Sequence, residues 1–310
     1  MDSKIVITIG NPNGIGPEVI TKAIKKFEKN QLQNFIVILD DQNYNIFFKE
    51  VRNLDFVIFP SKDYNYICNP GEKSIASGLL SYRFLEKAVE LIKKKEAKAI
   101  VTGPVSKELI LKAGIKNFVD HTSFFARVFN RETFMLFYSE DFCVTLATIH
   151  IPLKKVVKQI KPFLVEKVII QSIEFLKKTK ENSFSIGVCG INPHAGENGL
   201  LGRDEYKLIK VVEKFKRAGY HIEGPIPADT AFYKAYTGWF DLIVAMYHDQ
   251  GLAPFKMLHF NNGVNVTLGL PFVRTSPDHG TAFDIAGKGI ADESSMFEAI
   301  KLAIKLTKKT

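Results

Sequence analysis

The stretch FDLIVAMYHDQGLAPFK, residues 240–256, predicts a buried strand that ends in a cluster of polar side chains. Its apolar part is short and β-prone, as expected for a strand covered on both faces. The polar segment YHDQ, residues 247–250, follows directly, and a glycine then ends the strand. Ligands collect at the carboxyl ends of strands in open α/β sheets. His248 and Asp249 are therefore placed to hold a metal, with Lys256 beyond the turn for an anion. A polar loop with a capping aspartate explains the same residues equally well.

Length and composition predict a globular protein with room for two domains. The chain has 310 residues, of which 46% are hydrophobic and 24% are charged. No stretch reaches the ~18 consecutive apolar residues of a membrane span. The N-terminus has the pattern of a strand rather than that of an export signal. Three well-separated cysteines, Cys68, Cys143 and Cys189, are typical of reduced structural thiols. We therefore expect a cytoplasmic protein.

The charge balance favours small anionic molecules over nucleic acid as partners. Lysine and arginine number 42 against 33 aspartate and glutamate, which gives a formal charge of +9. Such a charge attracts anions, but the lysines are spread over helix faces, for example at 93–95 and 305–309. The sequence has no basic stripe interleaved with aromatic residues. We expect neither a nucleic-acid nor a membrane partner, and part of the charge is available for a phosphorylated substrate.

Alternating strand and helix patterns predict an α/β fold with a mostly parallel sheet. In the first third of the chain, strands are expected at 4–9, 35–39 and 99–102, with helices at 17–29 and 75–95. Helices over these strands would cover the sheet on its faces. The pattern predicts the first layer of the protein.

The middle of the chain has a different pattern. Apolar runs at 133–138 and 142–149 flank a short polar segment, which predicts an antiparallel hairpin. Pro152 and Pro162 then open helices, where proline is tolerated in the first turn. Further elements are expected at 185–188, 203–218, 240–246, 265–268 and 295–308. The predicted domains are residues 1–115 with 262–310, and residues 116–261.

Two glycine-containing loops follow predicted strands. GNPNGIGPE, residues 10–18, leads into a helix whose free N–H groups favour an anion. Its glycines do not have the spacing of the dinucleotide fingerprint GxGxxG. TGPVSK, residues 102–107, ends on Lys107, which would face either a phosphate or water. A tight βα turn without a ligand explains both loops as well as a binding role does.

Four of the seven histidines lie at the ends of predicted elements. His150, His194 and His248 follow apolar strand-like runs, and His121 opens a helical run. Three imidazoles from three strand ends could bind one divalent cation at ~2.0–2.1 Å each. The gaps between them are too long for a local ligand motif, and a single histidine is more often a hydrogen-bonded structural residue. Convergence of the three rings, within one chain or across a dimer, is therefore the geometry to test.

Eight motifs occur in order along nearly the whole chain. They are GNPNGIGPE (10–18), VTGPVSK (101–107), DHTSFFA (120–126), ATIHIPL (147–153), NPHAGENG (192–199), GPIPADTAF (224–232), AMYHDQGLAPFK (245–256) and GVNVTLGLPFVRTSPDHGTAFDIAG (263–287). In these motifs the sequence closely resembles the 4-hydroxythreonine-4-phosphate dehydrogenase family of vitamin B6 biosynthesis, the PdxA family. Eight ordered motifs of this length make a chance match negligible.

The resemblance implies a fold like that of isocitrate and isopropylmalate dehydrogenases, with two α/β domains, a mostly parallel sheet and a cleft between the domains. It also implies a homodimer with the active site near the subunit interface. At the matching motif positions, the metal ligands would be His150, His194 and His248. The substrate contacts would be His121, Thr122, Lys256, Asn265 and Arg274.

The segment DHGTAFDIAGKGIAD, residues 278–292, resembles the adenosine-binding loop of the decarboxylating dehydrogenases. The residues implied to contact the cofactor are His279, Gly280, Asp284, Ile285 and Asp292. A carboxylate such as that of Asp284 accepts hydrogen bonds from ribose hydroxyls and repels a 2′-phosphate, so NAD is favoured over NADP. A glycine-rich start of a helix is the alternative interpretation of this loop.

Two positions depart from the family pattern. Asn11 stands where the family usually has aspartate in GDPAG, and Ser106 stands where it usually has histidine in TGPVHK. Neither position is an implied ligand. The two differences therefore affect only the details of that wall of the cleft.

The implied reaction is the NAD-dependent oxidation of 4-phosphohydroxy-L-threonine at C3, followed by decarboxylation of the β-keto acid to 3-amino-2-oxopropyl phosphate. A divalent metal on the C3 oxygen would act as a Lewis acid in both steps. Three neutral imidazoles suit zinc or cobalt better than magnesium, which the family also supports. Lys256 and Arg274 would hold phosphate or carboxylate. Asp229, Lys107 and Asp249 are the catalytic candidates for proton transfer, with Asp229 ranked ahead of Lys107.

Other functions remain open at the level of sequence. The nearest is a dehydrogenase of another 4-phosphorylated hydroxy acid, such as threonate or erythronate 4-phosphate, which would use the same ligands and mechanism. A remote alternative is a phosphate acyltransferase, because those enzymes share a related fold. Acyl transfer needs neither a three-histidine site nor an adenosine loop, so both features count against it. A non-catalytic metabolite-binding protein would not need so many reactive groups.

Overall fold

The computed structural model describes residues 4–180 and 183–308. They form two compact units, one made of the segments up to Glu132 and from Leu270 onward, the other of Thr133–Gly269. The domain boundaries expected from the sequence, 1–115 with 262–310 and 116–261, differ from the boundaries of these two units. It stays a prediction about separable domains, and its residues 1–3, 181–182 and 309–310 lie outside the described part of the chain.

Eleven strands are present in the described residues, and they bear out the α/β pattern expected from the sequence. In chain order they are β1 (Lys4–Thr8), β2 (Phe35–Asp40), β3 (Asp55–Phe59), β4 (Ala97–Thr102), β5 (Phe134–Tyr138), β6 (Cys143–Leu146), β7 (Ser185–Cys189), β8 (His221–Ile226), β9 (Leu242–Ala245), β10 (Val264–Leu268) and β11 (Val273–Pro277).

Helices alternate with these strands along the chain. In order they are α1 (Gly16–Ile24), α2 (Lys29–Leu32), α3 (Asp41–Asn43), α4 (Ile75–Lys93), α5 (Lys107–Lys112), α6 (His121–Phe129), α7 (Leu153–Gln159), α8 (Pro162–Thr179), α9 (Tyr206–Arg217), α10 (Ala228–Tyr236), α11 (His248–His259) and α12 (Ser294–Lys308). Within residues 4–180 and 183–308, none of the helices has the length and apolar character needed to cross a membrane.

The first unit contains a parallel sheet with the strand order β3–β2–β1–β4–β11. Val6 of β1 lies opposite Ile36 of β2 on one side and Ile100 of β4 on the other. β2 is buried along its whole length, because helices cover the sheet and its FIVIL run has apolar side chains for both faces. All strands of this sheet run in the same direction, so their carboxyl ends lie at one edge.

Polar side chains start the helices that follow these strand ends. Ser106 accepts a hydrogen bond from the backbone of Leu109 at the start of α5, and Asp120 accepts one from Ser123 at the start of α6. Such caps satisfy N–H groups that have no partner inside the helix, and each is worth about 0.5–2 kcal/mol. They fix the first residues of the two helices, Lys107 in α5 and His121 in α6.

The second unit has the strand order β10–β5–β6–β9–β7–β8. β5 and β6 are antiparallel, with Leu136 opposite Thr145, so the hairpin predicted at 133–149 is confirmed. β6, β9, β7 and β8 run parallel to one another. Their four carboxyl ends therefore lie side by side at one edge of the sheet.

A polar loop was one of two interpretations of residues 247–250, and it is wrong because a helix begins at His248. α11 begins at His248 and continues to His259, through both Gly251 and Pro254. A Cβ at position 251 would come within 2.6 Å of Cδ2 of Leu146, so glycine allows the helix to pack against β6. The burial of Leu252 and Phe255 in the core of the second unit favours the helix. Tertiary packing thus outweighs the helix-breaking tendency of glycine and proline.

Candidate active site

The three histidines predicted as metal ligands follow three neighbouring parallel strands. His150 lies beyond the end of β6, His248 beyond β9 and His194 beyond β7. β9 pairs with β6 on one side and with β7 on the other. The sheet of the second unit therefore delivers all three loops to one edge, where open α/β sheets bind their ligands.

Two of these histidines lie close together. The ring centroids of His150 and His248 are 5.8 Å apart, with 47° between the ring planes. Two imidazoles whose nitrogens bind one zinc ion at 2.0–2.1 Å have centroids roughly 5–6 Å apart. Nδ1 of His248 lies 2.7 Å from Oδ1 of Asp249. When the Nδ1–H group donates a hydrogen bond to this carboxylate, Nε2 of His248 is the nitrogen available to a metal.

His194 lies in a left-handed turn. The backbone of residues 194–198 has positive φ throughout, including φ 51° at His194 itself. Left-handed conformations cost roughly 1–2 kcal/mol for each residue other than glycine. The buried Glu205 offsets part of this cost, since its Oε1 accepts hydrogen bonds from the backbone N–H groups of Ile191 (2.9 Å) and Asn192 (2.7 Å). Glu205 therefore determines the conformation of the loop that carries His194.

Two of the three predicted metal ligands lie close to each other within one chain. His150 and His248 fit a shared cation by their spacing. No group of three His, Cys, Asp or Glu side chains that could hold a metal is found in residues 4–180 and 183–308. The assignment of His150, His194 and His248 as ligands accordingly stays a prediction, and their convergence is not seen in the single chain.

The remaining predicted residues of the second unit lie on several elements. Asp229 follows β8 at the same sheet edge, is exposed and accepts a hydrogen bond from the backbone of Thr230. Asp249 is 88% exposed. Lys256 lies on α11, and Asn265 lies on β10, opposite Phe137 of β5. Their predicted roles in proton transfer and substrate binding are not tested by these positions.

The first unit has a cavity of about 190 Å³ at the carboxyl ends of β4 and β11. Its polar and loop residues are Thr102, Gly103, Lys107, Asp120, His121, Ser276, His279 and Gly280. Four residues that the sequence assigned to substrate, cofactor or proton transfer are thus brought together here: Lys107, His121, His279 and Gly280. A cavity with a few convergent polar groups is a typical ligand site.

The partly buried His121 and the buried Arg274 bring an imidazole and a guanidinium into this region. Burial, together with the nearby charge of Arg274, holds the pKa of His121 well below its ordinary value, so the imidazole is neutral. Nε2 of His121 is buried and has no hydrogen-bond partner among the described residues. Burial also lowers the pKa of Arg274 to about 10, so the guanidinium stays charged at neutral pH, and it donates a hydrogen bond of 2.7 Å to Oγ1 of Thr102. An unsatisfied buried imidazole nitrogen beside a cation is typical of a site that binds a polar, anionic ligand.

The predicted cofactor loop contributes His279 to the same cavity. Burial lowers the pKa of His279, and its Nε2 is buried without a partner in the described part of the chain. A hydrogen bond from the Ser294 side chain lowers the pKa of Asp292, which keeps that carboxylate ionised. Asp284 is exposed and Ile285 is partly buried. Exposure leaves the Asp284 carboxylate accessible to a ribose hydroxyl.

Two asparagines, Asn11 and Asn13, support these loops through contacts that the sequence does not predict. Asn11 donates a hydrogen bond to Oγ of Ser77, and its backbone N–H binds the carbonyl of Pro104, which links the first loop to TGPVSK. Asn13 accepts hydrogen bonds from the hydroxyl of Tyr66 and the backbone of Asn69. The departure of Asn11 from the family pattern was the one available signal. The partners of both asparagines are far away in sequence and could not be read from it.

Comparison with known proteins decides the family. The profile described as pyridoxal phosphate biosynthetic protein PdxA matches residues 7–303. This chain belongs to the PdxA family. The D-threonate 4-phosphate dehydrogenase of Cupriavidus necator is 41% identical over 322 residues, covering 97% of this chain and 96% of the relative. The 4-hydroxythreonine-4-phosphate dehydrogenase of Sulfurihydrogenibium sp. is 40% identical, covering 98% of each chain.

Solved structures agree with the PdxA assignment. The crystal structure of 4-hydroxythreonine-4-phosphate dehydrogenase from Klebsiella pneumoniae has a TM-score of 0.83 at 34% identity, covering 98% of this chain and 99% of that one. Isocitrate dehydrogenase from Methylococcus capsulatus, 14% identical, has a TM-score of 0.55 and covers 98% of this chain and 85% of its own. The predictions of a PdxA-family oxidoreductase and of an isocitrate dehydrogenase-like fold are confirmed.

Proposed function

We propose that this PdxA-family protein oxidises 4-phosphohydroxy-L-threonine at C3 with NAD, and that the β-keto acid then loses its carboxyl group to give 3-amino-2-oxopropyl phosphate. One observation carries the proposal: three adjacent parallel strands end at the same sheet edge, and His150, His248 and His194 follow them there. The paired rings of His150 and His248 add to it, because their spacing suits a shared cation.

The second unit would hold the divalent cation, with zinc or cobalt preferred to magnesium for imidazole ligands. When bound, the cation supplies Lewis-acid stabilisation of negative charge on the substrate oxygen. The chain's own residues prepare this position. Asp249 selects the tautomer of His248, and Glu205 presets the loop of His194. His150 and His194 are exposed in the single chain, which favours a homodimer that covers this edge.

The first unit would hold the anionic groups. Arg274 is charged and buried, so it can bind a phosphate or carboxylate without competing water. The neutral His121 has a buried nitrogen to donate to or accept from the substrate. Lys107 borders the same cavity and adds positive charge. Thr122, Lys256 and Asn265 are the other proposed substrate contacts.

NAD would be bound by the loop that contains His279, Gly280, Asp284, Ile285 and Asp292, and it supplies the hydride acceptor. The Asp284 carboxylate is exposed and would accept hydrogen bonds from the ribose, which disfavours the 2′-phosphate of NADP. For proton transfer we place Asp229 ahead of Lys107 and Asp249. Asp229 lies at the same sheet edge as the histidine loops and is accessible.

A second candidate substrate is D-threonate 4-phosphate, which carries a hydroxyl in place of the amino group. It is favoured by the relative from Cupriavidus necator, which bears that name at 41% identity. The same arrangement of anion-binding and histidine residues would serve both substrates. The two candidates therefore differ in the group at C2 and not in the reaction type.

The test measures NADH formation by the purified protein with 4-phosphohydroxy-L-threonine, D-threonate 4-phosphate and D-erythronate 4-phosphate, before and after removal of metal with a chelator. We expect the highest kcat/KM with the first substrate, stoichiometric release of carbon dioxide, and recovery of activity when zinc or cobalt is added back. Turnover of D-threonate 4-phosphate alone would assign the second candidate. A rate that chelation leaves unchanged would refute the role of the metal, and acyl transfer to phosphate without NADH formation would refute the dehydrogenase.

A further inference from the structure

Charged side chains on α1 and in the turn that follows it reach the same distant segment. Glu18 and Lys22 are four residues apart, so they lie on one side of α1, and Lys26 lies in the turn after the helix. Glu18 and Lys22 contact residues 289–291, and Lys26 forms an ion pair of 2.7 Å with Glu293. This segment directly follows the glycine-rich part of the proposed cofactor loop.

Glu18 and Lys22 satisfy both the N–H and the C=O groups of that segment. Oε1 of Glu18 accepts a hydrogen bond from the backbone of Ala291 at 3.0 Å, and its Oε2 accepts one from Gly289 at 3.3 Å. Nζ of Lys22 donates to the carbonyls of Gly289 and Ala291 at 2.9 and 2.8 Å. The two side chains also pair with each other at 2.9 Å.

The burial of the pair distinguishes it from other helical ion pairs. The side chain of Glu18 is 6% exposed and that of Lys22 is 33% exposed, whereas Glu90 and Lys94, with the same spacing at the C-terminal end of α4, are 41% and 57% exposed. Hydrogen bonds from backbone N–H groups to a buried carboxylate are strong, because water competes poorly there. The contacts of Glu18 therefore fix a backbone position, while those of Glu90 do not.

The residue before α1 contacts the N-terminal end of the proposed cofactor loop. The backbone N–H of Ile15, the residue before α1, donates a hydrogen bond of 3.0 Å to the carbonyl of Thr281. The loop between Thr281 and Gly289 carries Asp284 and Ile285 and contains no helix or strand. The loop is thus anchored at both ends, at Thr281 and at residues 289–291.

We propose that Glu18 and Lys22 are positioning residues for the dinucleotide, which hold the loop 279–292 in its binding conformation before NAD arrives. This inference rests on the proposed function. An anchored loop loses less conformational entropy when it binds, so the pair raises affinity for the cofactor without touching it. The pair acts on cofactor affinity and leaves the chemical step unchanged.

The experiment compares Glu18→Gln and Lys22→Met with the matched exposed pair Glu90→Gln and Lys94→Met. Hydrogen exchange of the peptide that contains residues 279–292 is measured without ligand, and NADH binding is measured by fluorescence titration. We expect faster exchange at Gly289 and Ala291 in the Glu18 variant, because a glutamine amide cannot accept both backbone hydrogen bonds. We also expect NADH binding and the KM for NAD to worsen about tenfold, equivalent to ~1.4 kcal/mol, with kcat and the KM for the phosphorylated substrate nearly unchanged.

A conservative variant and the controls separate positioning from general stability. Lys22→Arg keeps the charge and can donate to both carbonyls, so it should retain most of the affinity. The Glu90 and Lys94 variants should match the wild type in exchange and in binding. If Glu18→Gln does not fold, the partly exposed Lys22→Met variant decides the question by the same two measurements.

Faster exchange with unchanged NADH affinity would overturn the positioning role. An equal loss of kcat and of affinity for both substrates would also overturn it, since that is the result of a merely structural role. Failure of the wild-type protein to bind NADH or NADPH would overturn the cofactor assignment and the positioning role with it. If the wild type and the Glu18 and Lys22 variants bound NADH equally well, the positioning role would be overturned and the cofactor assignment would stand.

Discussion

In the first unit, His121, Arg274 and His279 lie in or beside a cavity, and burial lowers the pKa of each. In the second unit, His150, His194 and Asp229 are exposed at the end of a sheet. Both regions use the carboxyl ends of parallel strands, yet only the first is enclosed by its own chain. Under the proposed function, packing would preorganise the anion-binding residues of the first unit, whereas a metal or a second copy of the chain would complete the histidine edge.

The largest effect is expected from His194→Ala, which tests whether the exposed edge is a metal site. Loss of a direct ligand should weaken zinc affinity by at least ~100-fold, the upper end of what outer-shell changes cost. The ring is exposed and packs little, so the thermal midpoint of the metal-free protein should hardly change. Zinc affinity is measured by competition with a chromogenic chelator. An unfolded variant would show instead that His194 is architectural.

Arg274→Met tests the enclosed half of the comparison. Hydrogen bonds that involve a charged group contribute about 1.5–3 kcal/mol, so the KM for the phosphorylated substrate should rise by roughly 10- to 100-fold. Arg274→Lys should give an intermediate value, because lysine keeps the charge and loses the bidentate fork. Arg83→Met, on the exposed face of α4, is the control and should leave the KM unchanged. If Arg274→Met left the KM for the phosphorylated substrate unchanged, the proposed anion-binding role of Arg274 would be refuted.

Glu205→Gln tests whether the loop of His194 at the exposed edge is held in place before a metal binds. The NH2 group of a glutamine in the position of Oε2 cannot accept the hydrogen bond from Nδ2 of Asn192, so the left-handed turn should be destabilised by about 1–3 kcal/mol. We expect weaker zinc binding and faster hydrogen exchange at Ile191 and Asn192. Glu213→Gln, in an exposed ion pair on α9, the helix that Glu205 precedes, is the matched control. Equal zinc affinities in the two variants would contradict a role for Glu205 in placing His194.

The smallest effect is a pH dependence that should come from the enclosed histidines. The folded-state pKa of His121 is below its unfolded value, so below about pH 6.5 the unfolded chain binds a proton that the folded chain does not. This contribution to stability is complete above that pH and is lost as the pH falls towards the folded-state pKa. The free energy of unfolding should therefore decrease by up to ~1.4 kcal/mol per pH unit for this residue.

Urea denaturation of the wild type and of His121→Asn at about pH 7 and about pH 5.5 measures this slope. The variant should show a shallower dependence than the wild type. Parallel slopes would mean that His121 is accessible to protons in the folded protein, and the description of the first unit as enclosed would fail.

The sequence was sufficient for the elements whose residues suit one structure locally. Strands such as 35–39 and 240–246 are short and β-prone, and the hairpin at 133–149 has a polar turn between two apolar runs. The candidate site residues were predicted from motifs such as NPHAGENG and YHDQG, and their roles stay a prediction. The loop predicted at 247–250 was wrong because Gly251 and Pro254 argue locally against a helix, and packing against β6 decides otherwise.

The supporting residues could not be predicted, for a different physical reason. Glu18 looks like a favourable acid in the first turn of α1, and nothing near it in sequence shows that it accepts hydrogen bonds from Gly289 and Ala291. Glu205 likewise precedes an amphipathic helix and gives no sign that it anchors the loop of His194. Long-range hydrogen bonds of this kind depend on the completed tertiary structure.

The first unit is assembled from both ends of the chain. β11 pairs with β4, and α12 covers them, so the sheet that begins with β1 lacks an element until residues 273–308 have been synthesised. Thr133–Gly269 form one continuous segment and can finish folding while the ribosome is still translating the rest. During synthesis the nascent first unit must therefore wait with the side of β4 that pairs with β11 unprotected. A stalled or truncated polypeptide would expose that side to chaperones and to aggregation.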